Sequence, residues 1–303
     1  MTTTGIQKIL CPVDFSETSA NALRYAAALA PCWNATLVVL HADVFAPPAY
    51  FTEAQVEQLV KEWGETEAAA ERVLHEFVRR TLGELAPRVE TVVVEGPAAD
   101  AIFIGASTFR ADLIVMGTHG RRGWRQLLLG SVAEQVLHGS EIPVLMVRPE
   151  FAGPEGGLGI KGILCPVNDT RVARKSLSLA AQISHCYKAT LTLLHVNEPS
   201  PEHAIADLCS WASEDERSLC QMREISREGK VPDEVLKVAS EVNCDLLVLG
   251  AWHRRFQDRT ILGSATAPIV RHSKCPVLIV PGKESDAETD GSGRPPSSAT
   301  NIP

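Results

Sequence analysis

The sequence predicts an α/β protein built of two doubly wound, five-stranded parallel-sheet domains in tandem, and three observations carry that expectation. The chain repeats itself: residues 5–42 align without a gap to residues 159–196 at a constant offset of 154, with 16 of 38 positions identical. A second ungapped block sets residues 111–148 against 244–281 at offset 133, with 14 of 38 identical. Within each copy, short apolar runs alternate with helical patterns, as in successive βα units. The runs are nearly continuous Val, Ile and Leu, as befits strands covered by helices on both faces.

Taken in order, residues 6–13 form a short apolar run that reads as a buried strand. Residues 18–30 follow with Ala22, Leu23, Ala26, Ala27 and Leu29 on one helical stripe, after Ser16 as the candidate cap. Residues 36–41 read as the second strand, 52–85 as a long Glu- and Ala-rich helix, 89–95 as the third strand and 98–109 as another helix. Residues 112–117 and 144–148 are strands four and five, separated by a helix over 132–138. The offset falls by 21 between the two aligned blocks, so the second copy lacks 21 residues from its middle. Conserving the ends of the repeat while trimming its middle places a functional core in the ends.

These boundaries give domain one at 1–150 and domain two at 158–282, joined by a Gly- and Pro-rich linker. Residues 283–303 are Ser, Pro, Gly and acidic with almost no apolar content, and are expected to be disordered.

Composition narrows the function. The 303 residues are 45% hydrophobic and 22% charged, enough apolar material for two cores. Net charge is −8, and neither half is basic: residues 1–150 hold 12 Lys and Arg against 18 Asp and Glu. A phosphate-backbone partner needs the opposite balance, so no nucleic acid is expected. No apolar run approaches the ~20 residues that span a bilayer, and the first residues lack a signal peptide's charged start and apolar core. The expectation is a cytoplasmic protein with no membrane partner. Its eight cysteines are then expected to be reduced thiols, mostly small core residues.

The chemistry concentrates after strand four. There the first copy reads Gly117-Thr118-His119-Gly120, then Arg121 and Arg122, and after nine residues Gly130-Ser131 at the start of a helix. Glycines let backbone N–H groups approach phosphate oxygens and permit positive φ. A helix start offers free N–H groups and the positive end of the dipole. The bland alternative makes Gly117 and Gly120 a turn and Ser131 a helix cap. Arg121 and Arg122 are either phosphate clamps or a solvated face. His41 and His195 match each other at strand ends without a nucleophile partner, and read as buried, hydrogen-bonded histidines.

This segment resembles the nucleotide-binding motif of the universal stress protein family. Cys11-Pro12-Val13-Asp14-Phe15-Ser16, Leu40-His41 and Ile142-Pro143-Val144-Leu145-Met146-Val147 fit the same family, and the resemblance spans nearly all of residues 5–281. It implies a Rossmann-like, adenine nucleotide α-hydrolase-like fold and ATP bound with Mg2+ at the strand ends. Asp14 and Ala42 would contact the adenine side, with Pro12 and Val13 lining that pocket, and Met116 and Gly117 would lie near the ribose. Gly120, Gly130, Ser131, Val132 and Ala133 would hold the phosphates. Asp14 could instead cap the first helix. The resemblance also implies pairing through strand five, here between 144–147 and 277–280 within one chain, which would cover two edges; a further homodimer is plausible on the same grounds.

Copy two carries Gly250, Gly263 and Ser264 at matching spacing, so these are its candidate binding residues. It departs at three points. His253 replaces the second glycine, Asn168 replaces Asp14, and Pro268 enters the last helix, where it removes an N–H. The expectation is a weakened second site. No Walker-type Gly-Lys-Ser/Thr and no kinase catalytic loop is present. The reading is therefore a nucleotide-dependent stress-response regulator and not an enzyme. Its alternatives are a slow ATPase, an autophosphorylating protein, or a nucleotide-free interaction protein.

Overall fold

A computed structural model describes residues 5–43, 53–84, 89–119, 129–150, 159–168, 170–197, 212–256, 259–262 and 265–282, with backbone alone at 53–67, 215 and 252–262. The tail at 283–303, the linker at 151–158, Gly120 to Leu128, Gly263 and Ser264 lie outside the described residues.

The first half runs β1 (Lys8–Val13), α1 (Glu17–Leu29), β2 (Thr36–Asp43), α2 (Glu53–Leu82), β3 (Val89–Glu95), α3 (Ala98–Phe109), β4 (Leu113–Gly117), α4 (Ser131–Gly139) and β5 (Val144–Val147). The second runs β6 (Gly162–Pro166), α5 (Arg171–Tyr187), β7 (Thr190–Asn197), α6 (Glu214–Leu219) and β8 (Gln221–Glu228). It continues with α7 (Val231–Glu241), β9 (Leu246–Phe256), β10 (Arg259–Leu262), α8 (Thr266–His272) and β11 (Val277–Gly282).

The strands join in one sheet in the order β3-β2-β1-β4-β5-β11-β9-β6-β7-β8, with β10 paired to β9. Within each half the main strands are parallel. The halves meet where β11 runs antiparallel to β5, Val277 opposite Met146 and Ile279 opposite Val144. The expected pairing through strand five is thus intramolecular in this chain. Each strand alternates between two layers: Ile9 and Cys11 face one that runs along both halves and includes Leu23 of α1 and Leu177 of α5. Leu10 faces the other layer, which runs along both halves and includes Ile102 of α3, Val136 of α4, Val235 of α7 and Ile269 of α8. That two-faced burial explains the unbroken apolar runs. No helix among the described residues is long and apolar enough to cross a membrane.

A second seam between the halves lies where the C-terminal ends of α1 and α5 meet. Trp33 Nε1 donates to Gln182 Oε1 at 2.8 Å, and the Tyr187 hydroxyl donates to the Ala28 carbonyl at 2.7 Å. Between these contacts Cys32 and Cys186 form a disulfide. The expectation of reduced thiols throughout is corrected here. It rested on compartment, whereas the repeat symmetry brings two equivalent cysteines face to face. Cys11, Cys165 and Cys275 are free and buried, and Cys220 and Cys244 are free and partly buried.

Candidate functional site

In the first half the strand order reverses between β1 and β4, which opens a crevice at their carboxyl ends. A cavity of about 530 Å3 occupies it. Pro12, Val13 and Asp14 line it from the end of β1, Leu40, His41 and Ala42 from β2, and Met116 to His119 from β4. Gly130 to Ala133 close it from the start of α4, with Ser19 of α1 and Ala98 and Ile102 of α3 completing the wall. Ten of the eleven positions singled out in the first copy therefore meet in one cavity. The eleventh, Gly120, lies outside the described residues, as do Arg121 and Arg122.

The local chemistry explains each placement. Ser16 caps α1 by accepting from Ser19 N at 3.2 Å. Asp14 Oδ1 in turn accepts from Ser16 N at 3.1 Å and Ser16 Oγ at 2.6 Å. Asp14 thus lines the cavity and braces the cap without being the cap itself. Copy two keeps this device with neutral groups: Thr170 caps α5, and its hydroxyl donates to Asn168 Oδ1 at 2.7 Å.

Ser131 does not cap α4. Gly130 holds the cap position with φ −64° and ψ 150° and offers no side-chain acceptor. The first-turn N–H groups at Ser131, Val132 and Ala133 are thereby left at the cavity wall, beside the positive end of the helix dipole. Neither Gly117 nor Gly130 has positive φ, so the left-handed freedom invoked for these glycines is not used at either. Gly117 is needed for space: a Cβ there would sit 2.7 Å from Thr18 Cγ2. Gly250 plays the same part in copy two, where a Cβ would lie 3.0 Å from Val172 Cγ1.

Both matching histidines are hydrogen-bonded as expected, but only His195 is buried, and His41 is half-buried. His41 Nδ1 pairs with the Val13 carbonyl at 2.8 Å, and His195 Nδ1 with the Val167 carbonyl at 3.1 Å. His41 also faces the cavity and stacks at 4.2 Å on Phe15. His119, between the motif glycines, escaped the sequence reading. Its Nδ1 lies 2.9 Å from Thr118 Oγ1, while its Nε2 is buried without a partner. Ser19, Ala98 and Ile102 were also missed; the i, i+4 spacing of the last two on one face of α3 is the signal that could have found them.

In copy two the chain after Gly250 continues as β9 to Phe256 and returns as β10, with His253 opposite Leu262. The backbone at the second glycine position is there committed to a hairpin ladder. Pro268 falls in the first turn of α8, which is shorter than α4. Among the described residues no cluster of three or more His, Cys, Asp or Glu could hold a metal ion.

Comparison with known proteins agrees with this architecture. The sequence profile of the universal stress protein family matches residues 5–148 and again 159–281. A universal stress protein of Methanocaldococcus jannaschii is 34% identical over 146 residues, covering 47% of this chain and 82% of the relative. One from Thermus aquaticus is 36% identical over 141 residues, covering 46% of this chain and 97% of the relative. The crystal structure of a universal stress protein from Archaeoglobus fulgidus superposes with a TM-score of 0.70 at 22% identity, covering 90% of this chain and 98% of that one. That last likeness concerns the fold.

Proposed function

The chain belongs to the universal stress protein family as two copies in tandem, and from that premise we propose that its first copy binds ATP as a regulatory ligand in a stress response. The observation that carries the reading is the cavity at the switch point of the first half, walled by the uncapped start of α4. About 530 Å3 suits a small-molecule ligand. The apolar side, from Pro12, Val13, Leu40 and Met116, suits a base. The N–H groups of α4 suit phosphate oxygens, and the unpartnered His119 Nε2 is a polar group left at that wall.

Mg2+ would enter with the nucleotide. Asp14 is the carboxylate in the described lining, and its Oδ1 is already bonded to Ser16. In copy two the hairpin at His253 and Pro268 in α8 argue for weak binding or a structural role. The chain carries no Walker-type Gly-Lys-Ser/Thr and no kinase catalytic loop, which favours ATP as ligand over ATP as substrate.

The test is to denature the purified full chain, identify released nucleotide by chromatography and count it per chain. About one ATP per chain, lost in Gly120→Val, supports the reading. No nucleotide, and no binding of added Mg-ATP, overturns it in favour of an interaction protein. Phosphate release above background that disappears in Gly120→Val would make the protein a slow ATPase.

A further inference from the structure

Away from the cavity, the second half holds a feature that the first half lacks. Cys244, just before β9, and Cys275, just before β11, bring their sulfurs to 3.7 Å. The surrounding frame is the same in both halves. Ser273 Oγ donates to the Cys275 carbonyl at 2.7 Å and accepts from Cys275 N at 3.2 Å. Ser140 does the same for Ile142, at 2.7 Å and 3.3 Å. Asp245 holds the Lys161 and Gly162 N–H groups as Asp112 holds those of Gln7 and Lys8. Inside this shared frame copy one places Ala111 and Ile142, and copy two places two thiols in contact.

We propose that Cys244 and Cys275 are a redox modification site, a dithiol that a small hydroperoxide converts to a second disulfide within copy two. The sulfurs must approach by about 1.7 Å to reach bonding distance, a movement within reach of side-chain rotation. Cys275 is only 5% exposed, so the oxidant must be small, while Cys244 is partly open.

The order of events follows from the surroundings. The Cys244 thiol beside it holds Cys275 below the ordinary thiol range, against the opposing effects of burial and Asp245. Cys244 is pushed up by its contact with Cys275 and by burial. The Cys275 thiolate therefore attacks the peroxide oxygen. The O–O bond breaks, the departing alkoxide or hydroxide takes the proton that Cys275 shed, and Cys275 becomes a sulfenic acid. The Cys244 sulfur then attacks the Cys275 sulfur. The S–O bond breaks and hydroxide leaves with the Cys244 proton as water. Two thiols lose two electrons and the peroxide gains them.

Cys11 and Cys165 are internal controls. Both are fully buried, with thiols pushed up chiefly by burial, and should stay reduced.

The test treats the full chain with hydrogen peroxide, blocks free thiols after unfolding without reduction, and maps peptides by mass spectrometry. The expected result is a loss of two hydrogens, a peptide cross-linked between Cys244 and Cys275, and reversal by dithiothreitol. Cys244→Ser and Cys275→Ser should each abolish it. So should the double variant Cys244→Ala/Cys275→Ile, which restores the residues that copy one packs in the same frame and so controls for folding. Both cysteines remaining free, oxidised separately to sulfinic acids, or bonded to other cysteines would each overturn the proposal.

Discussion

Cys32 and Cys186 stand 154 positions apart, the offset of the repeat itself, and a disulfide joins them across the seam between α1 and α5. Each is the other's counterpart, so the bond sits where the repeat symmetry places one copy against its equivalent. Together with the β5–β11 pairing it ties the two halves at two separate places.

A bond closing so long a stretch of chain restricts the unfolded state strongly. Cys32→Ser should lower the unfolding free energy by about 2–5 kcal/mol. Urea unfolding with and without reductant checks this: reductant should destabilise the wild type and leave the variant unmoved. A wild type indifferent to reductant would mean that the bond contributes nothing in solution.

The same seam sets an alkaline limit. Burial, then the nearby charges of Cys275 and Asp245, pushes the Tyr25 hydroxyl up to about 12. Burial and Tyr25 do the same to Tyr187, also to about 12. Both folded values lie above the unfolded 10.0. The folded state therefore favours the protonated phenols: their contribution is complete below pH 10 and is lost as pH rises from about 10 to about 12. Thermal midpoints measured across that window should fall together with the rise of tyrosinate absorbance. Tyr187→Phe, which gives up the bond to Ala28, should show a shallower fall.

The sequence made the repeat, the succession of strands and helices along the first half and most of one cavity wall legible, because backbone motifs at strand ends are local in sequence. Pro12 to Asp14, Met116 and Gly117, and Gly130 to Ala133 each belong to one contiguous segment. What stayed hidden depends on packing between segments. Ser19, Ala98 and Ile102 reach the cavity only because α1 and α3 dock on opposite faces of the sheet. The disulfide joins two surface positions whose contact exists only once the halves pair. The reason for Gly117 also differed: the glycine was visible, but its neighbour Thr18, 99 positions earlier, was not.

That neighbour yields a sharp test. Gly117→Ala places a methyl 2.7 Å from Thr18 Cγ2, closer than real contacts allow, and should cost about 1–3 kcal/mol of stability. Thr18→Ser removes the offending methyl and keeps the hydroxyl. The double variant should therefore recover most of the loss, a coupling that a double-mutant cycle measures directly. Simple additivity of the two changes would show that Gly117 is not held by this contact.

The start of α4 allows the phosphate reading to be separated from the integrity of the fold. Ser131→Pro deletes one N–H at the first helical position, where proline is well tolerated. The residue before a proline must be extended, and Gly130 already is, at φ −64° and ψ 150°. Ser131 is exposed, so no core packing is disturbed. The thermal midpoint should stay within a few degrees of wild type. Calorimetric titration should find ATP bound about tenfold more weakly, about 1.4 kcal/mol, with adenosine affinity unchanged, because the proposed site puts the base against Pro12, Val13, Leu40 and Met116 and away from α4. Equal losses for ATP and adenosine would mean that the substitution distorts the cavity as a whole. Unchanged affinity for both would place the phosphates away from α4 and remove the main support for that part of the site.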